Sequence, residues 1–404
     1  MPRKQFRAFL TKVVSPAINL HFARDLAGRI TATGSGPGAN PLTESYGYDW
    51  LSHLTSVNNA AGITMESYTH DDVGNRLSKT GNGLATGNYA YGYAPNTNWL
   101  KATGNAARSV DANGNTTASS VGDETFGFGY NGRNRLTVVQ RNGSTVGTYT
   151  YNALGQRVGK VATFPASITS SYLYDENSQL LGEYGDTMRD YLWLDGIPVA
   201  VSDTKLRGGL SLSFQTTTSY VHADGLNTPR AITDASGKVQ WQWSYTGNPF
   251  GEQLPTSSTG FVYNLRYAGQ YYDAESRLMD NIHRTYEPAT GRYLQSDPIG
   301  LAGGWSTYAY VGGNSLNAAD PLGLWVYTGN PTQCALFSGG LRMARDAATS
   351  PDLDAAQQAT LAGAVNAYGR EGDSSVRIVF NQENNFTGAV TGLRKNGVRF
   401  TSIV

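Results

Sequence analysis

One short pattern recurs through the first half of the chain: two aromatic residues separated by one residue, then Asp or Asn, then a polar turn and an aliphatic residue. The copies are FARDLAGRI (22–30), YGYDWLSHL (46–54), YTHDDVGNRL (68–77), FGYNGRNRL (128–136), YTYNALGQRV (149–158) and YLYDENSQLL (172–181), with YAYGYAPNTNWL (89–100) as a degenerate copy. Alternating aromatic residues place their rings on one face of a strand, and Asp or Asn in a polar, often Gly-containing segment favours a reversal of the chain. Each copy therefore predicts a β-hairpin.

The spacing of the copies predicts how the hairpins assemble. The Asp or Asn positions are 25, 49 and 71 in one group and 131, 152 and 175 in another, at intervals of 21 to 24 residues. A single hairpin cannot bury its apolar face, so successive hairpins are expected to stack into a long curling sheet. The 48 glycines and 15 prolines among 404 residues also favour many short strands joined by turns. We expect a mainly β fold.

These units resemble the YD repeats of the Rhs (rearrangement hotspot) family. Three later stretches resemble the Rhs-associated core: YVHADGLNTPRAITDASGKVQWQWSYTGNPFGE (220–252), LRYAGQYYDAESRLMDNIHRTYEPATGRYLQSDPIGL (265–301) and YAYVGGNSLNAADPLGL (308–324). The resemblance implies a spiralling β-hairpin shell, a cocoon that encloses a variable C-terminal payload. Because Rhs shells normally contain many more repeats, we expect a partial cocoon, which is a fragment, a truncated orphan cassette or one part of a longer shell.

The resemblance and the composition predict four segments: a lead-in (1–20), the YD repeats (21–215), an Rhs repeat-associated core with a self-cleavage junction (216–324) and a variable, toxin-type tail (325–404). The aromatic repeat stops after the core. In the tail, residues 350–369 predict a helix, because a Ser-Pro pair precedes an apolar helical face and Gly follows it. Strands are predicted after the helix, the last two joined by a hairpin at Asn396-Gly397. The tail is thus expected to be a small α+β segment.

A pentad of the form DPxGL closes the repeat-rich region twice, at 297–301 and at 320–324. Asp, Pro and Gly at the first, second and fourth positions favour a type I turn, so two turns are the simplest interpretation. The family resemblance implies more, namely a self-cleavage site at the second pentad. It makes Asp297 and Asp320 the catalytic residues of an aspartic-type autoprotease, in which two carboxylates share a proton. The bond cut would join Leu324 to Trp325.

Four further polar residues deserve a prediction of their own. Arg292 and His283 are close to the first pentad in sequence and could tune the protonation of the pair, although an ordinary structural role in a hairpin is the simpler interpretation. His222 and Asp224 could suggest catalysis or metal binding, but the resemblance places them in a shell strand and its turn. In parts of the family Arg precedes the first Asp, whereas this chain has Ser296.

Composition limits the remaining chemistry. All five histidines precede the pentads and are scattered, and there is one cysteine, so no metal site and no cofactor are predicted. Cys334 is interpreted as a small buried residue. The tail has no histidine, seven Lys or Arg and six Asp or Glu, which gives little electrostatic reason to bind nucleic acid. It faintly resembles the region before the HExxH helix of Rhs-borne metallopeptidases, but HExxH itself is absent.

The resemblance implies a bacterial polymorphic toxin system in which the shell encloses its own C-terminal segment and releases it by cleavage after Leu324. Possible partners are an immunity protein and a secretion-system spike or adaptor. We expect synthesis in the cytoplasm without a signal peptide, no membrane span, and export by a dedicated system. The alternative is a structural or adhesive YD-repeat protein that binds carbohydrate or a partner surface, with an inactive or truncated tail. An active toxin of unidentified chemistry in the tail is a third hypothesis.

Overall fold

The computed structural model describes residues 10–81, 89–207, 213–324, 393–395 and 398–400. In this part of the chain the regular structure is antiparallel β, apart from three short 3₁₀ turns. The predicted mainly β, hairpin-built shell fold is confirmed. Within the described residues, no helix is long and apolar enough to span a membrane.

The first large sheet has ten strands, each paired with the next along the chain. They are β1 (Lys12–Ser15), β2 (Ile18–Arg24), β3 (Ile30–Gly34), β4 (Leu42–Tyr48), β5 (Leu54–Asn59), β6 (Thr64–His70), β7 (Arg76–Gly81), β8 (Tyr89–Tyr93), β9 (Leu100–Thr103) and β10 (Ala106–Ala107). A 3₁₀ turn, Pro37–Ala39, follows β3.

The second large sheet continues the same meander over fourteen strands. They are β11 (Ser109–Val110), β12 (Thr116–Val121), β13 (Glu124–Tyr130), β14 (Leu136–Arg141), β15 (Ser144–Tyr151), β16 (Arg157–Ala162), β17 (Ile168–Tyr174), β18 (Leu180–Tyr184), β19 (Met188–Leu194), β20 (Ile197–Arg207), β21 (Ser213–Ala223), β22 (Pro229–Thr233), β23 (Val239–Gln242) and β24 (Thr256–Ser257). Among the described strands, neither large sheet pairs its first strand with its last, so both are open.

A small sheet and a separate hairpin complete the described strands. The small sheet contains β25 (Tyr271–Asp273), β26 (Leu278–Asn281), β27 (Arg284–Glu287) and β28 (Arg292–Tyr293), and the hairpin contains β29 (Leu393–Lys395) and β30 (Val398–Phe400). Two 3₁₀ turns, Gly300–Gly303 and Tyr310–Gly313, follow β28.

The Asp or Asn of each repeat is the acceptor that closes its hairpin turn. After β2, the Oδ1 atom of Asp25 accepts the backbone N–H groups of Ala27 and Arg29 at 2.9 and 3.0 Å. Asp71, Asn131, Asn152 and Asp175 accept the same pair of N–H groups, two and four residues further on. A side chain that bonds to the backbone two residues on stabilises a tight turn, which explains why only Asp and Asn occupy this position in the six clear copies.

The two aromatic residues of each repeat have different roles. The first is buried, as for Tyr46 and Tyr149, and supplies the apolar face of the sheet. The second can bond back to the preceding hairpin: the hydroxyl of Tyr48 donates to the carbonyl of Ile30 at 2.8 Å, and that of Tyr151 donates to Leu136 at 2.7 Å. These bonds join successive hairpins and satisfy the phenol groups within the interior.

The aromatic pattern leaves out other hairpins of the same construction. Asp111, between β11 and β12, accepts the N–H groups of Asn113 and Asn115 at 2.9 and 2.8 Å. It was missed because Ser109 and Val110 stand where other copies have aromatic residues. Asp224, between β21 and β22, lies in a turn of the same kind and accepts the N–H groups two and four residues further on.

The segment that resembles the Rhs-associated core contacts both large sheets. In the first sheet, the N–H of Ile30 donates to Asn317 Oδ1 at 2.7 Å. In the second, Lys160 Nζ lies 3.0 Å from Asp273 Oδ1 with both side chains buried. The small sheet is therefore held between the two meanders, and its buried tyrosines join the main hydrophobic cluster.

The predicted tail helix at 350–369 and most of the predicted tail strands lie outside the described residues. The described hairpin pairs Leu393 with Phe400 and Lys395 with Val398. This register leaves two residues between β29 and β30, as the Asn-Gly signal predicts. The boundaries of the four segments stay predictions.

Candidate active site

Both pentads form the turns that their sequences predict. The N–H of Gly300 donates to the carbonyl of Asp297 at 2.9 Å, and the N–H of Gly323 donates to the carbonyl of Asp320 at 3.4 Å. The aspartates of the two turns are buried, however, because Asp297 is 7% exposed and Asp320 is 1% exposed. A buried carboxylate needs compensating donors or charges. The surroundings of the two carboxylates therefore decide what the turns can do.

Arg284, the first residue of β27, brings the two carboxylates together. Its Nη1 atom lies 2.9 Å from Asp297 Oδ2, and its Nη2 atom lies 3.0 Å from Asp320 Oδ2. The arginine side chain is itself buried. The two aspartates that the sequence analysis selected are thus bound to the two terminal nitrogens of one guanidinium group.

Asp320 accepts further hydrogen bonds from two directions. The hydroxyl of Tyr293 donates to Oδ2 at 2.7 Å, and the backbone N–H of Leu324 donates to Oδ1 at 2.9 Å. Asn281, at the end of β26, donates to the Tyr293 hydroxyl at 2.7 Å and to the Asp320 carbonyl at 2.9 Å. Side chains from β26, β27 and β28 therefore fix this carboxylate next to the residue that precedes the predicted cut.

The backbone after Asp320 is held as closely as its side chain. The carbonyl of Gly323 accepts from Arg284 Nε at 2.6 Å, and the carbonyl of Leu322 accepts from the N–H of His283 at 3.2 Å. Gly323 has φ +69°, and a Cβ atom there would lie 2.5 Å from the carbonyl oxygen of Asn281. Only glycine fits without displacing backbone. Leu324 is placed by these contacts, and Trp325 lies outside the described residues.

Asp297 is suited to carry a proton near neutral pH. Burial raises the pKa of its carboxyl group to about 6, the Arg284 guanidinium and the N–H of Ile299 oppose this, and the charge of Asp320 adds to it. Desolvation disfavours a charged carboxylate, and a second carboxylate has the same effect. A carboxyl group with such a pKa beside a second carboxylate is the arrangement that general acid and base catalysis requires.

The two residues considered as tuning groups bond elsewhere. Arg292 donates to Asn75 Oδ1 at 2.9 Å and to the Tyr93 hydroxyl at 3.0 Å, and so ties β28 to the first sheet. His283 Nδ1 lies 2.5 Å from Arg135 Nη2 in the second sheet. Both side chains therefore have the structural roles that the simpler interpretation gives them.

The structure shows contacts of three histidines that the sequence alone does not predict. His222 Nε2 lies 3.1 Å from the hydroxyl of Thr233 on the neighbouring strand, as a shell residue would. His53 and His70 cluster with Asp49, and the ligand atoms of the three lie within 4.8 Å of one another. This group lies among the turns of the first sheet.

Sequence reasoning missed Arg284, Tyr293 and Asn281. Each contacts Asp320 across 27 to 39 residues of sequence, so no local spacing marks them. The one available signal was their position inside a stretch that resembles the Rhs-associated core, between two pentads whose acids need a counter-charge. Because buried acids need a positive partner, an arginine or lysine in that stretch could have been predicted as their counter-charge.

The stacked Asp-capped hairpins and the inner sheet agree with a known family model. The model described as Teneurin YD-shell matches residues 15–302. The chain belongs to this YD-shell family. The repeats and, from β2 onward, the strands of the two meanders lie within the matched region, the first pentad turn lies at its C-terminal end, and the second pentad turn follows it.

The relatives of this YD-shell chain include a bacterial DNA deaminase toxin and a probable deoxyribonuclease. The chain is 28% identical over 330 residues to the double-stranded DNA deaminase toxin A of Burkholderia cenocepacia, which covers 72% of this chain and 23% of the relative. It is 32% identical over 203 residues to the probable deoxyribonuclease RhsB of Dickeya dadantii, with 49% of this chain and 13% of the relative covered. The chain is thus an Rhs/YD-shell protein that spans less than a quarter of these relatives' length.

A solved structure supports the fold. The Tc holotoxin pore of Photorhabdus luminescens contains a chain that superposes with a TM-score of 0.59 at 18% identity, over 77% of this chain and 17% of that chain. At this level of identity the likeness shows a shared YD-shell fold.

Proposed function

We propose that this YD-shell chain cleaves its own backbone between Leu324 and Trp325 and so releases the segment 325–404 from the shell. The observation that carries the proposal is that Asp297 and Asp320 both form ion pairs with Arg284. Asp320 also accepts a hydrogen bond from the N–H of Leu324. The two candidate acids and the residue that would carry the attacked carbonyl are thus held by one set of contacts.

The proposed reaction is a hydrolysis by one water molecule. The water oxygen adds to the carbonyl carbon of Leu324, and one carboxylate of the pair accepts the proton that the water loses. The other carboxyl group donates a proton to the departing nitrogen of Trp325 as the C–N bond breaks. The products are a carboxylate on Leu324 and an amine on Trp325.

The surroundings of the pair assign a role to each side chain. Asp297, with its raised pKa, is the proton donor, and Asp320, which accepts from Arg284, Tyr293 and Leu324, is the base. Arg284 limits the repulsion that develops when both carboxylates are charged. Its Nε bond to the Gly323 carbonyl holds the backbone one residue before the attacked carbonyl.

The proposed reaction needs no separate substrate-binding step. The attacked residue belongs to the same folded unit as both acids, so the translational and rotational entropy of a bimolecular encounter is already lost on folding. Cleavage is therefore expected to be first order and independent of protein concentration.

The relatives support a biological role for the proposed reaction. Because a DNA deaminase toxin of Burkholderia and a probable deoxyribonuclease of Dickeya are similar to this chain, we propose that residues 325–404 are the effector cargo of a bacterial polymorphic toxin system. An immunity protein for the cargo and a secretion-system spike or adaptor are the proposed partners. Synthesis in the cytoplasm and export by that system complete the proposal.

Two substitutions test the proposed acids without removing their turns. Asn occupies the acceptor position of natural repeats at 131 and 152, so Asp297→Asn and Asp320→Asn should keep the turn bonds and lose only the carboxylate chemistry. Asp234→Asn is the matched control, because Asp234 closes an exposed turn between β22 and β23. The chains are made by cell-free translation and followed by denaturing gel.

We expect the wild type and Asp234→Asn to cleave, and each site variant to cleave about 10²- to 10⁴-fold more slowly. Equal cleavage in all four chains would exclude the pair as catalysts. An uncleaved wild type would leave the structural or adhesive alternative as the better account.

A further inference from the structure

A small cluster of metal-ligating side chains lies in the first sheet, separate from the aspartate pair. Asp49 and His53 belong to the turn between β4 and β5, and His70 is the last residue of β6. Their ligand atoms lie within 4.8 Å of one another. The two imidazole rings are 4.8 Å apart between centroids, with 36° between their planes. Stacking of successive hairpins thus brings together residues that are 17 positions apart in sequence.

His53 is oriented by the carboxylate of its own turn. Its Nδ1 atom lies 2.7 Å from Asp49 Oδ2. Because a carboxylate only accepts, the imidazole donates from Nδ1, and the neutral ring leaves the lone pair of Nε2 available. A histidine that donates one ring N–H to a carboxylate and offers the other nitrogen outward is the usual arrangement at protein-bound zinc.

His70 supplies a second nitrogen without a competing partner. Its Nδ1 atom is buried and has no hydrogen-bond partner among the described residues. An imidazole nitrogen that makes no hydrogen bond to the protein keeps its lone pair or its proton for another partner. A buried polar nitrogen that no protein group satisfies calls for a ligand.

Glycines leave space beside both rings. A Cβ atom at Gly74 would lie 3.0 Å from His53 Nε2, and one at Gly313 would lie 3.5 Å from His70 Nε2. Both glycines have positive φ, +88° and +71°, so other residues would be strained there. Gly313 belongs to the 3₁₀ turn Tyr310–Gly313 of the core region, which therefore lies against the cluster.

We propose that His53 and His70, with Asp49 as the orienting carboxylate, bind a divalent transition-metal ion of the zinc class that clips two neighbouring hairpins of the shell together. Two nitrogens that each bind zinc at about 2.0–2.1 Å lie at most about 4 Å apart. The three ligand atoms of the cluster lie within 4.8 Å of one another, so a rearrangement of the side chains is needed to reach that distance. With two histidine ligands, water completes the coordination.

The role is structural, because binding to the folded chain alone raises its stability. An ion between the β4–β5 turn and the end of β6 resists separation of two hairpins that otherwise meet through backbone bonds and buried aromatic rings. A midpoint of unfolding that depends on metal concentration is its expected signature.

The repeats themselves provide variants that should fold. In the neighbouring turns, Asn75 and Asn115 occupy the position of His53 and donate to the turn aspartate at 3.0 and 2.9 Å. His53→Asn therefore keeps the turn bond and removes the metal ligand. At the position of His70, other copies have an aromatic residue such as Tyr130 or Tyr151. His70→Phe keeps a ring there, and His222→Ala is a control histidine outside the cluster.

The experiment titrates Zn²⁺ and Co²⁺ into the full chain, purified without a polyhistidine tag, and records calorimetry, the visible spectrum of Co²⁺ and the thermal midpoint. We expect saturable binding of one ion per chain and a midpoint that rises with Zn²⁺ in the wild type and in His222→Ala. His53→Asn and His70→Phe should each bind at least about tenfold more weakly and lose the midpoint shift. Absence of saturable binding in the wild type, or equal binding in all four chains, would overturn the proposal.

Discussion

The carboxylate of Asp320 accepts the backbone N–H of Leu324 at 2.9 Å, and so touches the residue after which cleavage is proposed. This contact comes from the turn itself, because the second pentad brings its first residue back to its last. Asp297 reaches the same place from a different turn, through the guanidinium of Arg284. A local turn and a long-range ion pair together define one candidate site.

Removal of the shared counter-charge is expected to unfold much of the site. The change is tested in chains that also carry Asp320→Asn, which slows cleavage, and there Arg284→Ala leaves the buried Asp297 carboxylate without its cation. Loss of one member of a buried ion pair typically costs about 3–5 kcal/mol. Arg277→Ala in the same background is the control, because its side chain is 47% exposed where it pairs with Glu124 and should cost at most about 1 kcal/mol. Urea unfolding measures both. Equal losses of the free energy of unfolding would contradict the central role of Arg284.

The hydroxyl of Tyr293 is expected to affect cleavage more than folding. Tyr293→Phe removes the donor to Asp320 Oδ2 and retains the ring, which lies 3.7 Å from the Arg284 guanidinium. A hydrogen bond to a charged group contributes about 1.5–3 kcal/mol, so we expect cleavage to slow by about 10- to 100-fold. Tyr130→Phe, which removes a bond to the Thr116 carbonyl and none to either aspartate, should leave the cleavage rate unchanged. A gel time course of refolded precursor measures both rates.

Gly323 is expected to tolerate no side chain. Gly323→Ala forces alanine into a left-handed conformation, which costs about 1–2 kcal/mol, and also drives Cβ into the Asn281 carbonyl. Gly237→Ala separates these effects, because Gly237 has φ +83° with no heavy atom within 4 Å of the added Cβ. The midpoint of thermal unfolding should fall clearly further in Gly323→Ala than in Gly237→Ala. Similar losses for the two variants would mean that the turn at Gly323 can move.

The pKa of Asp297 predicts a pH dependence with a definite sign. Its pKa rises from 3.8 to about 6 on folding, so between about pH 4 and pH 6 the folded chain holds a proton that the unfolded chain has lost. This group therefore stabilises the fold most at low pH, and its contribution is lost as the pH rises through about 6. Arg284, the cation that faces it, is unchanged in Asp297→Asn, and the smaller effect of the Asp320 charge on this pKa is absent wherever Asp320→Asn is also present.

The comparison that isolates this effect is between two chains that do not cleave. Asp320→Asn and the double variant with Asp297→Asn are unfolded in urea at several pH values from 4 to 8. The free energy of unfolding of Asp320→Asn minus that of the double variant should fall between pH 4 and 6 and stay constant above about pH 7. A difference that is constant over the whole range would contradict the raised pKa.

The repeats could be predicted from sequence because their information is local. Asp71, Asn131 and Asn152 close turns by bonds to residues two and four positions away, and an aromatic pair precedes each of them. Where the aromatic pair is missing, at Asp111, the same turn forms and the pattern overlooks it. Turn chemistry is thus the more general signal, and the aromatic residues report mainly which face is buried.

The site could be predicted only in part, because half of it depends on distant contacts. The pentads mark Asp297 and Asp320 by their own sequence. Arg284 and Tyr293 join them only when β27 and β28 fold against the second pentad. The same limit applies to His53 and His70, which look scattered in sequence and meet through the stacking of hairpins.

The central claim is tested most directly by the mass of the purified chain after expression and folding. Intact-mass spectrometry of the wild type should give two species, one that ends at Leu324 and one that begins at Trp325. When the precursor folds in water enriched in ¹⁸O, one heavy oxygen should appear in the new carboxyl group of Leu324. A single mass for all 404 residues, or a cut at another bond, would contradict the account.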